Sequence, residues 1–225
     1  MKKRLIILSS VFFCFATIIN AQFGINAKGG IYIPVGELSN NYNNGLGGEI
    51  IFIYAPNKNF ELGLVTGYSH YNADENILKQ KIYDELSGII DNINLDGILD
   101  VSAPLNIFPA TLNVKYLFGN RKMKPYFFFE GGIFFYNLTM NGHIKINNGP
   151  TINLPETVEK DNSTMLAIGG GFKYRITKKL FFDASAKWSI MNNIKLVEAD
   201  KEETIHGVDR TAQNIGIIAG LNYSF

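Results

Sequence analysis

Period-two alternation of apolar and polar residues recurs in eight segments of this 225-residue chain, and it constrains the fold more than any other feature. The segments are residues 23–33, 47–54, 60–71, 107–118, 126–137, 164–176, 180–190 and 212–225. Successive side chains of a strand point to opposite sides, so alternation marks a strand whose two faces meet unlike surroundings. In 180–190, Leu180, Phe182, Ala184, Ala186, Trp188 and Ile190 share one face, with Phe181, Asp183, Ser185, Lys187 and Ser189 on the other. Most segments approach the ~9–11 residues with which a tilted strand crosses a bilayer. The connections alternate as well. Residues 55–59, 119–125 and 177–179 are short, whereas 34–46, 72–106, 138–163 and 191–211 are long. Short turns at one end and long loops at the other are the layout of an outer-membrane barrel with its turns in the periplasm. An even strand count then puts both termini on the periplasmic side.

Period alone does not say which face is wet, because a soluble lipocalin-type barrel shows the same alternation. Composition separates the two. The polar parity is rich in Gly, Ser and Asn, which suit the crowded lumen of an eight-stranded barrel and would weaken a solvent-facing strand. The apolar parity carries aromatic residues near strand ends: Phe23, Tyr54, Tyr68, Phe118, Tyr174, Phe182, Trp188, Tyr223 and Phe225. Girdles of this kind mark the two membrane interfaces. Lipid outside is therefore the expectation. In the last segment Ile215, Ile217, Ala219, Leu221, Tyr223 and Phe225 should face lipid, and Asn214, Gly216, Ile218, Gly220, Asn222 and Ser224 the lumen.

The chain begins MKKRLIILSSVFFCFATIINAQ, with Lys2, Lys3 and Arg4 ahead of an apolar run and Ala21 at a plausible cleavage point. This is the layout of a secretory signal peptide over residues 1–21, leaving a barrel domain over 22–225. Cys14 is the single cysteine. Phe13 before it is too bulky for a lipoprotein cleavage site, so the mature chain has neither a disulfide nor a thiolate metal site. With 21 basic and 20 acidic residues the charge is nearly balanced, which gives no reason to expect nucleic acid.

Charges on the inward parity are Lys28, Glu49, Glu61, Lys115, Glu130, Lys173, Arg175, Asp183 and Lys187. Buried charges need partners, so near-equal counts predict a paired network filling the lumen. A narrow water-filled pore is the alternative. Residues 74–93 carry the one helical signal: Leu78, Ile82, Leu86, Ile89 and Ile93 recur at helical steps, with Asp74 able to cap the start. Asn92, Asn94, Asp96, Gly97 and Asp100 imitate a calcium loop, but Ala103 stands where the bidentate Glu is required, so a polar turn is the better reading. For catalysis, His70 near Asp74, His143, and His206 near Glu202, Glu203 and Asp209 are the candidates. No nucleophile–His–carboxylate arrangement joins them, and the expectation is no enzyme, no cofactor and no metal.

The chain resembles the small eight-stranded outer-membrane β-barrel family related to the OmpA and OmpX barrels, most of all the Bacteroidota-type "outer membrane protein beta-barrel domain". The resemblance is carried by INAQ, IYIPVGELSNNYNNGLGG, KPYFFFEGGIFFYN, GGGFKYRITKKLFFDASAKW and LNYSF. It implies an all-β, antiparallel, up-and-down transmembrane barrel in a Gram-negative outer membrane; a monomer is expected, and the helical signal over 74–93 adds a helical segment in the second external loop. It also implies that Tyr223 and Phe225 resemble the signal read by the barrel-assembly machinery. The expected partners are outer-membrane lipid, that machinery, and a surface ligand or envelope protein. The expected role is non-enzymatic, structural or surface-binding through four external loops. A small-solute pore or secretion accessory is the alternative, and a rim-sited lipid-modifying enzyme the weaker one.

Overall fold

The computed structural model describes residues 22–77, 79–80, 99–119, 122–145, 151–153, 156–199 and 205–225. The leader expected over 1–21 lies outside them. The described strands are β1 (Gln22–Val35), β2 (Gly45–Asn57), β3 (Phe60–Tyr71), β4 (Leu99–Ser102), β5 (Leu105–Leu117), β6 (Met123–Lys145), β7 (Thr151–Asn153), β8 (Thr157–Arg175), β9 (Leu180–Ala199) and β10 (Ile205–Ser224). Eight of them form a closed antiparallel ring in the order β1-β2-β3-β5-β6-β8-β9-β10, with β10 pairing back onto β1. Closure removes the sheet edges that lipid could not satisfy. The short β4 and β7 both pair with the far end of β6. Gln22 and Phe225, the first and last described residues, lie at the short-turn end, where Ser224 N–H donates to Lys179 O at 2.8 Å and Phe225 N–H to Phe23 O at 2.9 Å.

Each alternating segment falls on one ring strand, to within three residues at the turn end. At the loop end the strands run further than the alternation predicts. β6, β8, β9 and β10 have 23, 19, 20 and 20 residues, against 12–14 in β1, β2, β3 and β5. Much of 138–163 and 191–211 is thus strand rather than loop. A β-bulge interrupts β9 there: Ala212 pairs with Met191 but Arg210 with Ile194, and Asn193 takes φ 47°. The extra residue rephases the strand, so Met191, Ile194 and Leu196 all point inward and are buried.

The outer wall is apolar. Phe52, Leu64, Leu112, Phe127, Phe129, Ile168, Ile217 and Leu221 are each more than half exposed. A contiguous band of this kind has no place on a water-soluble surface and fits hydrocarbon. Rings cluster at its turn end, with Tyr116, Phe118 and Phe127 mutually 5.1–5.9 Å apart and Phe23 5.4 Å from Tyr54. Toward the loop end Tyr68 lies 5.1 Å from Phe108, and Trp188 Nε1 donates to Gln213 Oε1 at 3.3 Å. These two rings of aromatics are the interface girdles.

Inside, one strand shows how the lumen is divided. The inward face of β5 reads Leu105, Ile107 and Pro109, then Thr111, Asn113 and Lys115. The apolar half joins Phe134, Tyr136, Leu138, Met165, Met191, Ile194, Leu196 and Ile218 in a buried core toward the loop end. Leu38, in the 3-10 turn Gly36–Asn40, is fully buried in that core. The polar half lies toward the short turns. Inward glycines make room for rings: a Cβ on Gly169 would lie 2.6 Å from Phe128, and one on Gly47 2.8 Å from Tyr32. The β1–β10 seam is tighter still, since a Cβ on Gly220 would sit 1.8 Å from the Ala27 carbonyl oxygen.

Candidate functional site

The polar tier is built from side chains of seven ring strands. At its centre Asp183 on β9 accepts Lys28 Nζ at 2.7 Å, Lys115 Nζ at 3.4 Å and Asn26 Nδ2 at 2.9 Å. The Tyr126 hydroxyl donates to the same carboxylate, and the Lys115 ammonium lies 4.2 Å from the Tyr126 ring centre. Lys28 also donates to Ser185 Oγ at 3.1 Å. One layer toward the apolar core, Lys187 pairs with Glu49 and, at 3.5 Å, with Glu130. Tyr32 OH donates to Glu49 at 3.0 Å and Thr111 Oγ1 to Glu130 at 2.8 Å. Toward the turn end Lys173 Nζ lies 2.7 Å from both Glu61 oxygens, with Lys115 3.8 Å away.

Eight of the nine inward charges, four lysines and four carboxylates, therefore meet in two adjoining ion-paired groups, one around Asp183 and Glu61 and one around Lys187. Arg175 is the exception. It is exposed at the turn end, where its guanidinium stacks on the Phe181 ring at 5.8 Å. Two residues beyond Lys173 the strand has reached the rim, and water solvates the charge there. The balanced network leaves no fixed net charge in the lumen, and low dielectric strengthens each pair once its partners are in place. Tyr126, Tyr32 and Asn26 are members the charge pattern does not reveal. The signal that could have found them is parity, because Tyr32 and Asn26 share the inward face of β1 with Lys28.

The space between the two tiers, lined among others by Tyr32, Glu49, Lys187, Met165 and Met191, measures about 20 Å³. That is room for about one water molecule. Lysines and carboxylates here neutralise one another, and their buried side chains occupy the polar half of the lumen.

The other singled-out residues are not brought together. His70 points off the outer wall, its ring nitrogens 2.7 Å from Asn106 Oδ1 and 3.0 Å from Asn72 Oδ1. Asp74 is occupied in capping: its Oδ1 accepts from Asn76 N at 3.0 Å and Ile77 N at 3.3 Å, where the helical turn begins. His143 is an exposed residue on β6, opposite Asp100 on β4, and the backbone of His206 pairs with Glu198. Glu202, Glu203, Asn92, Asn94, Asp96 and most of the expected helix over 74–93 lie outside the described residues. Tyr223 and Phe225 are exposed at the turn end with their rings edge-on at 5.5 Å.

The crystal structure of Neisserial surface protein A shares this fold with a TM-score of 0.52 at 12% identity, over 92% of this chain and 99% of that one. A major outer membrane protein from Thermus thermophilus matches with a TM-score of 0.54 at 12% identity, over 91% of this chain and 99% of that one. No curated protein matches in sequence. The fold is that of the small eight-stranded outer-membrane β-barrels. Within that fold, residues 18–192 match the family model described as "Putative MetA-pathway of phenol degradation", and the chain belongs to that family.

Proposed function

We propose that this protein is a sealed, non-enzymatic outer-membrane barrel that works from its long-loop end, as an envelope component or surface-binding protein. The observation that carries this reading is the filled interior: a neutral network of eight charges roofed by an apolar core. A barrel closed in two ways gains nothing from its lumen. Its built-out feature is instead the set of long strands β6, β8, β9 and β10, whose inward side chains give them a core of their own beyond the membrane.

Orientation follows the same logic. Short turns and termini face the periplasm, and the long connections face the medium. The distribution of charge supports it. Of the 20 acidic residues, the four in the lumen aside, all fall on the long-loop side, and the short turns carry only Lys and Arg. Epitope tags inserted in 72–106 and in 119–125 test the reading on intact cells. Antibody should reach the first tag and not the second, and the reverse pattern would refute the orientation. Exchange of the long connections should then abolish whatever surface binding or envelope phenotype the protein confers.

The family description favours a second reading, passage of phenol-type compounds. The space between the tiers is too small for an aromatic ring, so passage through the lumen requires the network to come apart. Phenol entry into vesicles should be the same with and without the protein, and faster entry with it would favour this second reading.

A further inference from the structure

We propose that the short-turn end of the barrel holds a binding site for an amphipathic anion, one phosphate or carboxylate group on an apolar body. A cavity of about 490 Å³ opens there, within the size range of small-molecule sites. Its cationic lining is Lys58, Lys124, Lys173, Arg175 and Lys178, against one carboxylate, Glu61. That carboxylate is already held by Lys173 at 2.7 Å on both oxygens. None of Lys58, Lys124, Arg175 and Lys178 makes an ion pair among the described residues; Lys124 donates only to the Lys58 carbonyl, at 3.3 Å. The cavity thus keeps a positive excess that its own walls do not offset.

A second feature is independent of those surface cations. Asn222 lines the cavity, is 2% exposed, and its Nδ2 has no hydrogen-bond partner among the described residues. A buried amide donor left without an acceptor costs stability, and an anionic oxygen entering the cavity would satisfy it. The remaining lining mixes polar Gln22, Asn57 and Ser224 with an apolar surface that includes Phe23, Ile53, Leu117 and Phe181. A fully hydrated inorganic ion would leave that surface in water. An anion with a chain or ring would cover it. Two sources supply such chemistry, a soluble organic anion or the headgroup and first methylenes of an anionic phospholipid.

The test follows the Asn222 side-chain amide by NMR in the purified full chain. In zwitterionic micelles it is titrated with hexyl phosphate and, separately, with inorganic phosphate. In nanodiscs, phosphatidylglycerol is compared with phosphatidylcholine alone. A saturable shift with hexyl phosphate assigns the site to a soluble anion, and a shift only with phosphatidylglycerol assigns it to lipid; either supports the proposal. The double variant Lys124→Gln, Arg175→Gln, altered only at the solvated rim, should weaken binding about tenfold, as loss of two rim charges predicts. No saturable shift with either amphipathic probe, or unchanged affinity in the double variant, would overturn the site. Equal affinity for inorganic phosphate would overturn the apolar part of the assignment.

Discussion

At the scale of residues the barrel depends on the balance inside its lumen. Lys187 is the cation shared by Glu49 and Glu130, so replacing it with Met leaves two buried carboxylates without a counter-charge. Breaking a buried pair on one side costs about 3–5 kcal/mol, whereas removing both sides is far milder. Lys187→Met should therefore lower the urea midpoint in lipid vesicles strongly, read by fluorescence of Trp188, the single tryptophan. Adding Glu49→Gln and Glu130→Gln should restore much of the loss. An equal midpoint for Lys187→Met and the native chain would show that the network contributes nothing. Gly220→Ala probes the seam: its methyl would meet the Ala27 carbonyl at 1.8 Å. Overpacking of this order costs about 1–3 kcal/mol, read from the same midpoint.

At the scale of elements the strand pattern is open to reading from the sequence and its inversion is not. Alternation places all eight ring strands, and parity places Lys28, Glu49, Lys115 and Asp183 inside, because hydrocarbon outside and a narrow lumen inside force one sign of pattern. Beyond the membrane the same strands meet water outside and an apolar core inside. The period stays at two while its polarity reverses, so Leu138, Met140, Ile194 and Leu196 read as loop. The Asn192–Asn193 bulge hides the continuation of β9 further, by shifting its phase. Arg175 escapes the pattern for a related reason, since parity gives a face and not a depth. Deleting Asn193, the extra residue, should let β9 pair with β10 without interruption and keep Ile194 and Leu196 inward. Limited proteolysis should then leave β9 and β10 as protected as in the native chain. Trimming of both strands down to the membrane-embedded ring would refute the rephasing role of the bulge.

At the scale of the whole molecule the two tiers act in series. A charged network could conduct if water entered it, and an apolar core could not hold ions, so in the proposed reading the two together seal the barrel. The outer wall fixes the barrel in lipid, the basic turn end faces one aqueous side, and the acidic long-loop end faces the other. The family's link to phenol enters here, because it is the lumen that such a compound would need. Single-channel recording in planar bilayers tests the sealed interior most directly. The native chain should give a flat baseline under applied voltage. Stable, ion-selective stepwise openings would contradict it.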